Sequence, residues 1–174
     1  MKLRIKIILC AVVLAAVVVL GCSSESGRVV TVKSYPIKSM AGVLTRNDVA
    51  FDDTVTADGN GALRITAERP TTYRLYETGN VDIENSRLIY RAKIRTENVD
   101  GQVNLEMWCH FPGQGEYFSR ALNTPLYGTV EWTYQETPFF LKKGENPDDI
   151  KLNLVIDGSG TAWVDDITLT RGPL

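Results

Sequence analysis

Cysteine and histidine are scarce in this chain of 174 residues, and their scarcity excludes several classes of protein. The three cysteines are Cys10, Cys22 and Cys109, and the single histidine is His110. Cys10 and Cys22 lie within or directly after an apolar leader, so only Cys109 belongs to the folded part and no disulfide can form within it. The lone histidine has no second histidine or cysteine at ligand spacing, which argues against a transition-metal site.

An excess of positive charge is absent as well. Lys and Arg total 19 against 21 Asp and Glu, which gives a formal net charge of −2 at pH 7. Proteins that bind nucleic acid neutralise its phosphates with clustered Lys and Arg, so we expect no nucleic-acid partner. The length suits one domain with a sizeable hydrophobic core.

The first 22 residues have the pattern of an export signal. Basic residues at positions 2, 4 and 6 precede an apolar run over residues 7–20, which is too short to span a bilayer comfortably. The sequence Val-Leu-Gly-Cys at 19–22 then resembles the lipobox of bacterial lipoproteins. This resemblance implies cleavage after Gly21 and acyl chains on Cys22, which together hold a protein firmly to a membrane. An uncleaved signal anchor and an ordinary secretory signal remain alternatives.

We therefore predict three segments: a lipoprotein signal peptide at 1–21, a flexible tether at 22–28 and one folded domain at 29–174. The small polar residues at 23–27 (Ser, Ser, Glu, Ser and Gly) have the composition of a flexible linker. The predicted location is the cell envelope, outside the cytoplasm, with a lipid anchor in the membrane. In an organism with two membranes this would be the outer one.

Hydrophobic residues in the domain recur at every second position, which is the period of a half-buried β-strand. This alternation is clearest in the runs 63–67, 88–95, 103–111 and 152–157. Turn-forming sequences rich in Gly, Asn, Asp and Pro bound these runs, at 58–61, 100–101, 112–115 and 157–160. No long helical pattern occurs in the mature chain. We therefore predict an all-β domain, a two-sheet β-sandwich of the jelly-roll type.

Two stretches carry a family resemblance. The first, FDDTVTADGNGALRI, covers residues 51–65, and the second, GSGTAWVDDITL, covers residues 158–169. Together with Trp132 and the Pro138-Phe139 pair they resemble carbohydrate-binding modules of the family four and nine type. Those modules are jelly rolls of the galactose-binding-domain-like group. The group includes many proteins that bind no sugar, so the resemblance identifies the fold better than the function.

The same resemblance implies a structural calcium near the last strand, with Asp165 as a ligand and backbone oxygens from the early Gly-rich turn. Calcium prefers six to eight oxygen ligands, which carboxylates and main-chain carbonyls supply. Asp165 shares strand parity with Trp163 and Ile167, so we expect it to point towards the interior. The alternative without a metal is that Asp165 accepts backbone N–H bonds or pairs with an arginine. For Asp58, a plain turn-forming role is the preferred interpretation.

The run 103–111 is the strongest candidate for a binding surface. One set of its side chains is apolar and suits the core, whereas the opposite row contains Glu106, Trp108 and His110. An aromatic ring flanked by polar groups suits a sugar, because the ring stacks on the C–H face of a pyranose. Arg91 and Asn153 face outward on other strands and would join this row if the strands share one sheet. In the alternative interpretation, the loop at 112–118 covers Trp108 and forms a second small core.

The sequence contains no convincing catalytic constellation. Glu106 and His110 lie about 13 Å apart along an extended strand, which is too far for an acid–base pair. Ser119 and Ser159 lack the sequence context of a nucleophile elbow, and Cys109 has the parity of a core residue. We therefore predict that the protein is not an enzyme.

The combined prediction is a lipid-anchored, non-catalytic binding module that recognises carbohydrate on a concave sheet face. Trp108 would be the stacking platform, and Arg91, Glu106, His110 and Asn153 would supply polar contacts. The alternative is a protein-interaction or scaffolding lipoprotein of the cell envelope without a sugar ligand. Apart from the calcium ion, no cofactor is expected.

Overall fold

The computed structural model describes residues 27–174, so the predicted signal peptide, the lipidation site Cys22 and most of the tether lie outside the described residues. The described residues contain strands and no α-helix, and hence no helix long and apolar enough to cross a membrane. The eight strands are β1 (Val30–Tyr35), β2 (Val49–Asp52), β3 (Ala62–Ala67), β4 (Thr71–Gly79), β5 (Ser86–Phe111), β6 (Gly115–Arg120), β7 (Leu126–Leu141) and β8 (Asp149–Gly172).

The two longest strands, β5 and β8, organise the fold. They pair antiparallel along almost their whole length, with shifts of register at 91–93 and at 97–100 of β5. At the second shift the backbones approach so closely that a Cβ atom on Gly158 would lie 1.6 Å from the carbonyl oxygen of Asp100. A Cβ on Gly101 would lie 2.0 Å from the carbonyl oxygen of Asp157. Glycine is therefore required at both positions, and the paired strands bend there.

The bend divides the sheet into two layers. The first layer contains the first half of β5 and the second half of β8, with β7 on one side and β1, β3 and β2 on the other. In the second layer the strand order is β4, the first half of β8, the second half of β5, and β6. All pairs are antiparallel, and hydrogen bonds join the layers into one continuous sheet through β5 and β8. The predicted all-β jelly-roll sandwich is confirmed.

The hydrophobic core lies between these layers and follows the alternation of the sequence. In β5 the fully buried core residues include Leu88, Tyr90, Ala92 and Ile94 from the first half, and Val103, Leu105, Met107 and Cys109 from the second. In β8 they include Leu152, Leu154 and Ile156. Each large aliphatic side chain removed from water contributes about 1.5–3 kcal/mol, so burial alone can stabilise a domain that has no disulfide. Cys109 is buried, as its strand parity predicted, and burial raises the pKa of its thiol to about 12, which favours the protonated form.

Candidate functional site

The outer face of the second layer carries rows of polar and aromatic side chains across its four strands. In the central row, Arg74 of β4, Asn153 of β8, Glu106 of β5 and Arg120 of β6 are direct neighbours in the strand pairing. Residues paired directly across antiparallel strands point to the same face, so these four side chains lie side by side. The next row contains Lys151, Trp108 and Phe118, and the last one Asp149, His110 and Glu116.

Glu106 is the centre of this face, and it is buried to 2 % exposure. Its Oε1 accepts hydrogen bonds from Trp108 Nε1 at 2.7 Å and from Asn153 Nδ2 at 3.1 Å. Its Oε2 accepts a hydrogen bond from Arg120 Nε at 2.9 Å and a second one from the Nη2 atom of the same guanidinium. A buried carboxylate is tolerated only with such partners, because an unpaired charge away from water is costly. Glu106 therefore fixes the orientation of the indole, the amide and the guanidinium at once.

The indole of Trp108 lies beside Phe118, a residue of β6. The ring centroids are 5.0 Å apart and the ring planes are inclined by 30°. Phe118 is 52 % exposed and Trp108 is half-buried, so the pair forms an aromatic surface that solvent reaches. Trp108 therefore packs against Phe118, a residue of the 112–118 segment named in the alternative interpretation, but the exposed Phe118 ring leaves the pair open to solvent.

A groove of about 320 Å³ runs over this face. Its lining comprises Thr72, Arg74, Glu106, Trp108, Glu116, Arg120, Lys151 and Asn153. An adjoining depression of about 490 Å³ shares Thr72, Arg74 and Asn153 with the groove and extends it towards Leu44 and Thr45. The groove therefore combines aromatic rings with both signs of charge and with hydrogen-bonding groups.

Asn153 contributes a polar atom that is not satisfied within the described residues. The side chain is 5 % exposed, and its Oδ1 has no hydrogen-bond partner there. If the Asn153 amide were flipped, its Oδ1 would face the carboxylate of Glu106, and two acceptors would oppose each other. The hydrogen bond from Nδ2 to Glu106 therefore determines the orientation of the amide. A buried acceptor without a partner costs free energy, and a donor from a ligand or a water molecule would remove that cost.

His110 lies at the margin of the site. Its Nδ1 is 2.5 Å from Asp148 Oδ1, and its side chain is 38 % exposed. The His110 side chain does not line the groove. Glu116, its neighbour in the same row, does line the groove and forms an ion pair there with Lys151. The structure thus brings Glu106 and Asn153 together with Trp108, as expected, and places His110 at the end of the row.

Arg91 is far from this cluster, and its predicted convergence on the same cleft is wrong. It lies on the first half of β5, where it pairs with Glu136 of β7 and Thr168 of β8 in the first layer. Its guanidinium carbon stands 3.8 Å from the ring centroid of Tyr134. The bend of β5 assigns residues 91 and 106 to different layers, although both face outward from their strands.

Sequence reasoning missed five lining residues, of which Arg120 is the most informative. Arg120 reaches Glu106 because the turn at 112–114 closes a hairpin between β5 and β6. Counting outward from that Gly-rich turn pairs residue 106 with residue 120, so the signal was present in the sequence. The other missed residues are Thr72, Arg74, Glu116 and Lys151.

Asp165 is buried, at 1 % exposure, but it does not point into the core between the layers. It pairs with Lys93 and lies on the same outer face as Trp163, whereas Val164 faces the core. The following residue, Asp166, has a φ of 52°, and this irregularity changes the parity, so that Ile167 returns to the core. The predicted inward orientation of Asp165 is therefore wrong.

The carboxylate of Asp165 is held by backbone donors. Its Oδ2 accepts the N–H of Ala57 at 2.9 Å, and its Oδ1 accepts the N–H of Asp166 at 2.7 Å. Burial is the main cause that raises its pKa above the usual range. The two N–H groups bind the carboxylate oxygens that calcium would need as ligands. In residues 27–174, no cluster of three or more His, Cys, Asp or Glu is suited to a metal. The contacts match the alternative without a metal, and calcium stays a prediction to be tested.

No protein-family model matches the sequence, and no curated protein sequence matches it either. Solved structures do match. The CBM22-1 xylan-binding domain of Paenibacillus barcinonensis Xyn10C has 11 % identity and a TM-score of 0.61, over 87 % of this chain and 99 % of that one. A family 16 carbohydrate-binding module has 16 % identity and a TM-score of 0.56, over 75 % and 92 %. TmCBM61, solved with β-1,4-galactotriose, has 14 % identity and a TM-score of 0.53, over 77 % and 91 %. The chain therefore has the β-sandwich fold of carbohydrate-binding modules.

Proposed function

We propose that this protein is a non-catalytic module that binds carbohydrate in the groove of the second layer. The observation that carries the proposal is the arrangement around Glu106, where one buried carboxylate orients an indole, an amide and a guanidinium on a single open face. The proposal also accords with the fold, which the chain shares with carbohydrate-binding modules.

The chemistry of the groove suits a polyhydroxylated ligand. The Trp108–Phe118 pair offers apolar ring surface to the C–H face of a pyranose. Arg74 and Arg120 supply N–H donors for sugar oxygens, and Asn153 Oδ1 supplies an acceptor for a hydroxyl. Because Glu106 already fixes Trp108, Arg120 and Asn153, these three side chains lose little conformational entropy on binding.

The same arrangement disfavours glycoside cleavage. The four hydrogen bonds to Glu106 occupy both of its oxygens, so neither is directed at a bond of a ligand. Glu116, the other carboxylate of the groove lining, is held in an ion pair with Lys151. Both carboxylates of the groove are therefore bound to protein partners, whereas glycoside cleavage needs one as acid and one as base or nucleophile.

We further propose that Cys22 carries the lipid anchor of this module, with residues 1–21 as its signal peptide and 22–28 as its tether. The basic start, the apolar run and the lipobox-like sequence at 19–22 support this proposal. The module would then hold glycans at the cell envelope, outside the cytoplasm. The motif at 158–169 supports kinship with carbohydrate-binding modules of families four and nine, within the galactose-binding-domain-like group.

Titration of the protein with soluble xylan, galactan, mixed-linkage glucan and mannan, followed by tryptophan fluorescence and calorimetry, tests the carbohydrate proposal. Binding of one polysaccharide should quench the fluorescence, and Trp108→Ala should weaken the affinity at least about tenfold through the loss of about 1.4 kcal/mol of stacking. Trp132→Phe, a change of a tryptophan on β7 outside the groove, is the matched control. If no polysaccharide binds and one envelope protein always co-purifies, the scaffolding alternative is correct.

A further inference from the structure

The end of the sandwich opposite the bend carries unpaired positive charge where the chain enters the domain. Five cationic side chains lie at this end: Arg28, Arg87, Lys142, Lys143 and Arg171. None of the five takes part in an ion pair among the residues that the structure describes. The whole chain has a net charge of −2, so the positive charge of this cluster differs in sign from the charge of the protein as a whole. We name it the basic end.

Strand pairing brings these residues together. Arg87 pairs with Gly172 on one side and with Phe140 on the other. A Cβ atom on Gly172 would lie 3.3 Å from Val29 Cγ2 and 3.8 Å from Arg87 Nη2, so Val29 and Arg87 pack over this glycine. Arg171 pairs with Val30, and a backbone hydrogen bond of 3.2 Å joins residue 85 to residue 142.

Exposed apolar side chains accompany the cations. Val29 is 51 % exposed, Phe140 58 % and Leu174 62 %, and all three belong to the same end. Large apolar side chains interspersed with basic ones, at the edge of a fold, suit the boundary between lipid headgroups and acyl chains.

The acidic groups at this end are distributed unevenly. Three acidic residues lie among the cations: Glu84 and Glu145 each accept a backbone N–H of the turn at 142–144, and Asp82 accepts a hydrogen bond from Asn146 Nδ2. Five cations therefore stand against three acids. The remaining acids, Asp148, Asp149 and Glu116, lie at the end of the second layer and pair with His110 or Lys151. The positive charge is therefore confined to the end of the first layer.

We propose that the basic end is a docking surface for anionic phospholipid, which holds the domain against the membrane in one orientation. This inference rests on the proposed lipid anchor. Cys22 precedes Arg28 by six residues, which span at most about 21 Å when fully extended. The basic end therefore stays within that distance of the bilayer surface, where Lys and Arg are attracted by anionic headgroups. The glycan groove lies on the other layer and remains free.

Reconstitution of the full lipidated chain into vesicles tests this proposal. Phe140→Trp places a reporter at the basic end, and brominated lipids quench a tryptophan that reaches the acyl boundary. We expect quenching at low salt to be at least about threefold greater in vesicles that contain phosphatidylglycerol than in pure phosphatidylcholine, and high salt to remove the difference.

Charge reversal separates this surface from the anchor. In the Phe140→Trp background, Arg28→Glu with Arg171→Glu should abolish the additional quenching while the protein still floats with the vesicles. Arg64→Glu with Arg69→Glu, exposed cations on or next to β3, has the same change of net charge and should leave the quenching intact. Equal quenching in both vesicle types, or in both double variants, would overturn the docking surface. A chain that floats with neither vesicle type would refute the anchor, and with it this inference.

Discussion

Replacement of Glu106 by glutamine is the sharpest test of the groove, because it removes the charge and keeps the shape. The carboxylate is 2 % exposed and accepts bonds from Trp108, Asn153 and Arg120, while the Arg120 side chain is 28 % exposed. Loss of one member of a buried ion pair costs about 3–5 kcal/mol. Water reaches part of the guanidinium here, so we expect a loss of about 3 kcal/mol in the free energy of unfolding.

For a domain of this size, 1 kcal/mol corresponds to about 2–4 °C, so the melting temperature should fall by roughly 6–12 °C. Urea unfolding and thermal unfolding, both followed by circular dichroism, measure the effect. Glu116→Gln makes the same chemical change on the same face, at an exposed ion pair with Lys151, and should leave the stability almost unchanged. The double change Glu106→Leu with Arg120→Met should recover much of the loss, since it leaves no unpaired buried charge. A loss below about 0.5 kcal/mol for Glu106→Gln would refute the organising role of this carboxylate.

Four further predictions concern the scaffold and the predicted calcium ion. Gly158→Ala should lower the free energy of unfolding by at least about 2 kcal/mol, because its Cβ would overlap the carbonyl oxygen of Asp100; comparison of urea midpoints checks this, and a neutral change would contradict the close approach at the bend. Cys109, whose pKa burial raises to about 12, should react with a thiol reagent at pH 8 only after unfolding, so rapid modification of the native protein would contradict its burial. Burial raises the pKa of Asp165, so the folded state retains a proton that the unfolded state has already lost. The free energy of unfolding should therefore fall as the pH rises from the pKa of Asp165 in the unfolded chain to its pKa in the folded protein. Asp165→Asn should flatten this slope in calcium-free buffer, and an unchanged pH profile would contradict the assignment. Melting of the parent protein with calcium and with a chelator tests the predicted ion at the same residue, and a calcium-dependent rise that Asp165→Asn abolishes would establish the site.

Much of the fold could be predicted from local patterns. The alternation in 88–95, 103–111 and 152–157 corresponds to side chains that the structure buries or exposes in turn, since a strand presents successive residues to opposite faces. The outward orientation of the Trp108 side chain was predicted for the same reason. The hairpin that brings Arg120 to Glu106 was also within reach, because a short turn determines the register of the strands that flank it.

The remaining errors concern irregularities of the backbone. Arg91 was assigned to the groove because parity within β5 continues to residue 91, but the bend at 97–101 moves it to the other layer. Asp165 was expected to face the core because a regular strand would place it with Ile167, but the irregularity at Asp166 separates their faces. Such features depend on contacts between strands that are distant in sequence, so one segment read alone does not reveal them.

The sequence by itself determined the class of the fold, the single core and the face on which Glu106, Trp108 and His110 lie, because strand period and turn chemistry are local properties of the chain. Only the tertiary structure decided which of the outward-facing residues meet. It buried Glu106, placed Asn153 of β8 beside it as a donor, and moved Arg91 to the opposite layer. The physical reason is that a buried charge must be paired, and the strand that supplies a partner beyond the local hairpin is determined by contacts between segments distant in sequence.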